Sequence, residues 1–411
     1  MNAKAISKGP VIIIAIITAI SVFGNEMLLI VMPIYWDFFG LTALWQVGII
    51  LSMNRIIRLP INSIVGWCYQ KISKRTGVLI AVILAILSTY SYGMLKGFWL
   101  LLFMRILWGI SWSFLRLGGY LTVLTSSDNQ TRGQLIGLYN GLWGLGTLFG
   151  MLIGGLFADL IGIKWITTLF AILGILTLPF VFRFVPNSLS EEETNRSADK
   201  KLAPLTNKAQ IKILINGLLV ALVVYGIFFS TFSKLLEYQM NQNFIILGFS
   251  LGAVAVAGIL QSVKLGTDPF IAPFIGRWSD EKFGRIPLLL FAFTLGAILL
   301  AVIPLTLPFP LFLILIFAFQ LVATIFITAS DSLAADAATG PASVKMMTYY
   351  TLFVDLGSAL GPLISFFILD FIGIRFLYWF TSLLLIIAFI YWLREYLLQK
   401  NHRQTETHSL L

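Results

Sequence analysis

Twelve apolar runs of membrane-crossing length occupy most of this chain, and they leave few structures open to it. They fall at about 10–36, 44–67, 77–95, 98–122, 133–158, 163–185, 210–239, 246–276, 286–305, 309–335, 341–369 and 373–394. A helix that crosses the hydrocarbon core needs about 20 predominantly apolar residues. In lipid each backbone N–H and C=O must find its partner inside the structure, which a helix achieves within one segment. Of the 411 residues 58% are hydrophobic and 11% charged, whereas a soluble domain carries roughly 25% charged residues. A soluble fold is excluded, and the expected class is an all-α integral membrane protein of twelve transmembrane helices. The first run is expected to stay as a span. It is too long for a signal peptide, lacks a small-residue cleavage site and flows into the next span.

A net charge of +10 invites a nucleic-acid reading, but its distribution along the chain argues for topology. With the N-terminus placed in the cytoplasm, 19 Lys and Arg fall on that side and 3 (Lys96, Lys164, Arg375) on the other. Positive residues concentrate on cytoplasmic loops, so both termini are expected there and no nucleic-acid partner is expected. Cys68 is the single cysteine, and His402 and His408 both lie in the polar C-terminal tail. A disulfide, a metal cluster and a buried histidine catalytic site are therefore not expected, nor is a cofactor, an enzyme activity or more than a monomer.

The polar stretch at 186–209, rich in Ser, Asn, Glu and Lys, reads as a solvated linker. It divides the chain into a six-helix bundle at 1–185, a second at 210–396 and a polar tail at 397–411. The halves repeat. Gly66 and Gly276 each follow an equivalent span 210 positions apart, and Gly146 and Gly150 recur as Gly357 and Gly361 at an offset of 211. Two landmarks at nearly one offset indicate a duplicated six-helix unit.

The loops carry a pattern of their own. Gly276, Asp280, Gly284 and Arg285 follow the eighth span, and Gly66, Lys74 and Arg75 follow the second, with Gln70 where an acid would stand. Arg105-Ile-Leu-Trp-Gly109 lies in the fourth span. Gly146, Gly150, Gly154 and Gly155 lie in the fifth, echoed by Gly357, Gly361 and Pro362 in the eleventh. In these motifs the chain resembles the major facilitator superfamily over nearly its whole length. The fifth-span pattern, with Met151 in place of Pro, is similar to that of antiporters, and Phe23-Gly24-Asn25-Glu26 through Met32-Pro33 is similar to the first span of drug-efflux members. The resemblance implies two pseudo-symmetric bundles, with spans one, four, seven and ten lining a central cavity. It also implies loop residues that latch helix ends, with the stronger charged latch at Asp280. Small residues four apart equally mark close helix packing.

Ionisable residues inside lipid-length runs are costly and tend to be functional. Here they are Glu26, Arg55, Arg58, Arg105, Arg116, Lys264, Asp268, Asp331 and Asp355. Glu26, Arg105, Asp331 and Asp355 are candidates for proton coupling, with Arg105 the expected direct partner of Glu26. Arg55, Arg116, Tyr120, Asn140 and Trp143 are candidates for the substrate cavity. Arg58 and Asp268, at repeat-equivalent positions, are expected to form a gating or structural bridge. The four arginines lie in the first half and three of the four acids in the second, which favours an anionic or zwitterionic substrate. The expected function is proton-coupled efflux of a small organic molecule by alternating access in the cell membrane. An importer of an organic anion, a flippase for a lipid-linked amphiphile and a transporter-like sensor are the alternatives.

Overall fold

The apolar runs fold as helices over most of their length because Leu, Ile, Val, Phe and Ala carry no side-chain group that competes with the backbone bonds. Breaks between helices come at residues that leave helical geometry. The computed structural model describes residues 8–128, 131–187, 208–240, 244–246, 249–338 and 343–409. Residues 188–207 of the linker fall outside that set.

Twelve long helices follow one another among the described residues. They are α1 (Lys8–Val31), α2 (Leu44–Lys71), α3 (Lys74–Met94), α4 (Phe98–Ser126), α5 (Arg132–Leu160) and α6 (Ile163–Phe184). They continue with α7 (Ala209–Gln239), α8 (Ala253–Trp278), α9 (Arg285–Val302), α10 (Phe309–Ala337), α11 (Ser343–Phe371) and α12 (Ile374–Ser409). The middle of α7, Leu222–Phe228, is π-helical, a widening that often marks functional sites. Gly162 before α6 and Gly373 before α12 both hold positive φ, 90° and 110°, where an L side chain would be strained. They lie 211 positions apart, so the duplication extends to the backbone of equivalent turns.

The eighth span begins later than its apolar run suggests. Phe244–Ile246 (β1) pairs antiparallel with Phe249–Leu251 (β2), and the helix starts only at Ala253. Hydropathy alone does not separate an apolar hairpin from a helix of the same composition.

Ten of the helices are long and apolar enough to cross a membrane. The remaining two, α2 and α8, carry Asn54, Arg55 and Arg58 and then Gln261, Lys264 and Asp268. They are each other's repeat equivalents, so polarity is concentrated in one helix of each six-helix unit. Arg58, Gln261 and Lys264 are all buried, which keeps these charges and amides away from lipid.

The chain forms two compact units, and their boundary falls inside α7 and α8. The first holds α1–α6 together with Ser230–Gly266, and the second holds the earlier part of α7 up to Phe229 and the chain from Thr267 onward. In the first unit a core of Val11, Ile14, Tyr69, Val78, Phe114, Leu115 and Tyr139 draws on five helices. In the second, Leu214, Ala334, Met346 and Tyr350 cluster between α7, α10 and α11.

Candidate functional site

The glycines of α5 set how close α1 can come. A Cβ on Gly146 would strike the Ala19 backbone, one on Gly150 would lie 2.9 Å from Phe23 Cα, and one on Gly154 would lie 2.5 Å from Met27 Cβ. Steps of four on α5 thus meet steps of four on α1, a ridge-on-ridge register that bare backbone permits. The contact places Glu26 against Gly150, with its Cβ 3.2 Å from where a Gly150 side chain would begin. In the second unit, α11 meets α7 the same way. A Cβ on Gly357 would strike Leu218 O, and one on Gly361 would strike Gly226 in the π-helical segment.

Around Glu26 the first unit gathers a buried polar chain. Arg105 is completely buried and donates from Nη1 to Asn25 Oδ1 (2.7 Å) and from Nε to Ile50 O (3.3 Å). Asn25 Oδ1 also accepts from Asn54 Nδ2 (3.1 Å), and Asn25 Nδ2 donates to Glu26 Oε1 (2.8 Å). The expected direct Glu26–Arg105 pair is therefore replaced by a link through a neutral amide. The reason is reach: Asn25, one residue earlier on α1, presents its oxygen to α2 and α4 together. Arg58 Nε donates to Asn54 O (3.2 Å), and Arg55, Arg105 and Arg58 together set a positive field at the Glu26 carboxylate. Trp108 is buried against Val22 and Ala85 and takes no part in this chain.

One to four turns further along α4, a second set faces α5. Trp112 meets Trp143 edge to face at 5.1 Å, and Tyr120 OH donates to Asn140 Oδ1 (3.5 Å). Asn140 Oδ1 accepts also from Trp143 Nε1 (3.1 Å). Tyr120, Asn140 and Trp143 are thus one hydrogen-bonded group, with Arg116 on α4 between Trp112 and Tyr120. Arg55 lies on α2, outside this group.

At the far end of α5, Asp159 joins three parts of the first unit. Its Oδ1 accepts from Tyr35 OH (2.7 Å) and its Oδ2 from Ala255 N (3.0 Å) in the first turn of α8. A carboxylate satisfies an orphan N–H there and suits the positive end of the helix. Gly252 makes room, since a Cβ at that position would lie 2.8 Å from Asp159 Oδ2. Further along, Ser262 Oγ donates to Leu148 O (3.1 Å), and Gly155 and Gly258 let the two backbones touch. Asp159 escaped the sequence reading because it ends a span, where an acid looks like an ordinary loop residue.

In the second unit Asp331 accepts from Tyr350 OH (2.8 Å), and Asn216 Nδ2 donates to Ser330 Oγ (2.9 Å). Asp268 accepts from Thr324 Oγ1 (2.7 Å). Asp355 is half-buried on α11. The loop after α8 gathers its charges on Arg285, which pairs with Asp280 at 2.8 Å and forks onto Asp336 at the end of α10. Gly284 turns with φ 77° just before it. Asp336 is the member of this set that the sequence reading missed. In the first-half loop Arg75 Nε donates to Val185 O (3.0 Å), Lys74 is buried, and a side chain on Gly66 would meet nothing. Among the described residues, no three His, Cys, Asp or Glu side chains gather closely enough to hold a metal ion.

The model of the Major Facilitator Superfamily matches residues 14–268 and 266–409. The chain belongs to this superfamily. An uncharacterized MFS-type transporter, YcaD, of Escherichia coli O45:K1 is 26% identical over 259 residues, 62% of this chain. That match spans 63% of the relative's length. A bacterial homologue of the human lysosomal transporter Spinster, solved inward-facing and occupied, superposes with a TM-score of 0.70 at 16% identity, covering 93% of this chain and 95% of that one. The nucleoside transporter NupG superposes with a TM-score of 0.73 at 13% identity, covering 94% and 99%. At these identities the structural likeness speaks for the superfamily's fold, two six-helix bundles, and the family is one of transporters.

Proposed function

We propose that this superfamily member exports a small organic molecule across the cell membrane in exchange for protons, by alternating access, with Glu26 as the coupling carboxylate. One observation carries the reading: Glu26 is joined to a wholly buried arginine through the Asn25 amide. A carboxylate gripped by an arginine fork is held in its charged form. An amide N–H can donate to a carboxylate and equally to the carbonyl oxygen of a protonated acid. Glu26 can therefore load and release a proton while Asn25 keeps its bond to Arg105 Nη1 in both states. The glycine register of α5 on α1 and its similarity to the antiporter pattern favour export. On this reading the Arg132 end of α5 faces the cytoplasm and the Asp159 end faces outward. The Asp159 contacts then belong to the outer closure, to be broken when the pathway opens outward. Asp331 and Asp355 remain proposed as further acids on the proton path, and the Asp280–Arg285–Asp336 set as an inner latch.

Proteoliposomes with an imposed pH gradient test the coupling. Glu26→Gln keeps shape and hydrogen bonding but removes the titratable proton. It is expected to abolish gradient-driven accumulation and to leave exchange of labelled for unlabelled substrate intact, since exchange needs no net proton movement. Normal uphill transport by well-folded Glu26→Gln protein would remove Glu26 from the role. Absence of proton flux with any substrate in the wild type would favour the sensor alternative.

A further inference from the structure

The polar chain around Glu26 gives Arg105 and Arg58 hydrogen-bond acceptors within the protein, but the α4–α5 face gives its arginine none. Among the described residues Arg116 makes no hydrogen bond and no ion pair, and the Tyr139 phenol is the group whose field it shares. It sits seven residues after Gly109 and ten before the end of α4, well inside a helix of membrane-crossing length. A guanidinium at that depth is expensive without a partner. Neither helix of this face offers one: α4 contains no acid, and the single acid of α5, Asp159, lies 19 residues from Asn140, about 28 Å along the helix.

The groups around Arg116 donate and stack. The Trp112–Trp143 contact lies one turn to one side of it and the Tyr120–Asn140 contact one turn to the other. Asn140 has both neighbours on its oxygen, so its amide N–H groups remain for something else. Trp143, Tyr120, Trp112 and Arg116 are each half-buried, so part of each side chain stays uncovered. An array of one cation, one free amide donor and three rings, with no carboxylate, fits an anion attached to a flat ring.

We infer that this face binds the transported molecule, and that the molecule is a compact aromatic carboxylate. The inference rests on the transport reading above and deepens it. Arg116 takes the carboxylate in a forked pair, Asn140 Nδ2 adds a donor to the same group, and Trp143 with Trp112 packs the ring. One guanidinium balances one negative charge, which favours a monoanion over a phosphate ester.

The test uses full-length protein in nanodiscs with no gradient, read by tryptophan fluorescence and calorimetry. The probes are cinnamate, cyclohexanecarboxylate, cinnamamide, phenyl phosphate and benzylammonium. Cinnamate is expected to bind and to quench emission. Cyclohexanecarboxylate and cinnamamide are expected to bind at least about tenfold more weakly, as loss of the stacking or of the charge-assisted pair implies. Arg116→Gln should weaken cinnamate binding about tenfold or more, Arg116→Lys by less, and Trp143→Leu should remove most of the quenching. Melting temperature and gel-filtration profile establish that each variant is folded. Equal binding of cinnamate to wild type and folded Arg116→Gln would overturn the inference, as would a preference for benzylammonium or phenyl phosphate. Because no gradient is present, binding with this profile stands even if proton-driven transport fails. Transport of an unrelated substrate without cinnamate binding would sink this inference alone.

Discussion

Asn25 shows how much a neutral residue can decide in a membrane interior. It accepts from Arg105 and Asn54 and donates to Glu26, so three helices converge on one amide. Asn25→Leu removes the acceptor of Nη1 in a fully buried guanidinium and leaves it Ile50 O alone. Leaving such a group unsatisfied costs about 1–3 kcal/mol for a neutral partner and more for a charged one. The variant is expected to melt well below wild type in detergent, whereas Glu26→Gln, which keeps the Asn25 bond, should melt close to it. Similar melting of all three proteins would show that the chain of bonds does not support the fold. Glu26 and Arg105 were legible in the sequence, because a charge inside an apolar run is rare and conspicuous. Asn25 was not. An amide carries no charge signal, and its weight comes from α2 and α4 arriving on the same side of α1, which spacing along α1 does not reveal.

At the scale of helices, α5 has glycines where α1 comes close and others where nothing does. Gly146, Gly150 and Gly154 meet α1 backbone or Cβ atoms, while a side chain on Gly141 or Gly144 would meet nothing within 4 Å. Gly150→Val should therefore prevent the α1–α5 contact and lower the yield of folded protein sharply. Gly141→Val and Gly144→Val should be tolerated, with fluorescence-detected size exclusion as the readout. Equal loss for all three would mean that helix propensity or insertion, not the contact, is limiting. The periodicity of these glycines was visible in the sequence. The meeting of α5 with the start of α8 was not, because the apolar run before Ala253 reads as more helix and hides the hairpin that positions it. Asp159 holds that start through Ala255 N and Tyr35. Asp159→Ala should loosen it. A cysteine placed by Val254→Cys in a Cys68→Ser background should then react faster with a membrane-impermeant maleimide added outside. Val254 is 1% exposed, so unchanged labelling would show that α8 is held by its backbone contacts with α5 alone.

For the whole molecule, the sequence determines how many times the chain crosses the membrane more firmly than hydropathy does. Composition admits ten of the helices as spans, and ten crossings would also return the chain to the side it started from. Counting alone thus leaves α2 and α8 open to being re-entrant or buried outside the bilayer. The duplication argues against that. α2 and α8 occupy equivalent places in the two six-helix units, 28 and 26 residues long, each long enough to cross at 1.5 Å per residue. Removing α2 as a crossing would move the loop of Lys71, Lys74 and Arg75 relative to the rest and spoil the charge distribution. With twelve crossings the basic residues divide 19 to 3, in keeping with retention of positive loops in the cytoplasm. The decisive sites are therefore the loops on either side of α2. Reporter tags inserted at Gly40, at Ser73, at Ser197 in the linker and after Leu411 are expected to read outside, cytoplasm, cytoplasm and cytoplasm. A tag at Ser73 on the same side as one at Gly40 would mean that α2 does not cross. Tags at Ser197 and Leu411 on opposite sides would break the six-plus-six arrangement. The proposed outward placement of Asp159 depends on the same result, because α5 then runs from a cytoplasmic Arg132 to an external Leu160.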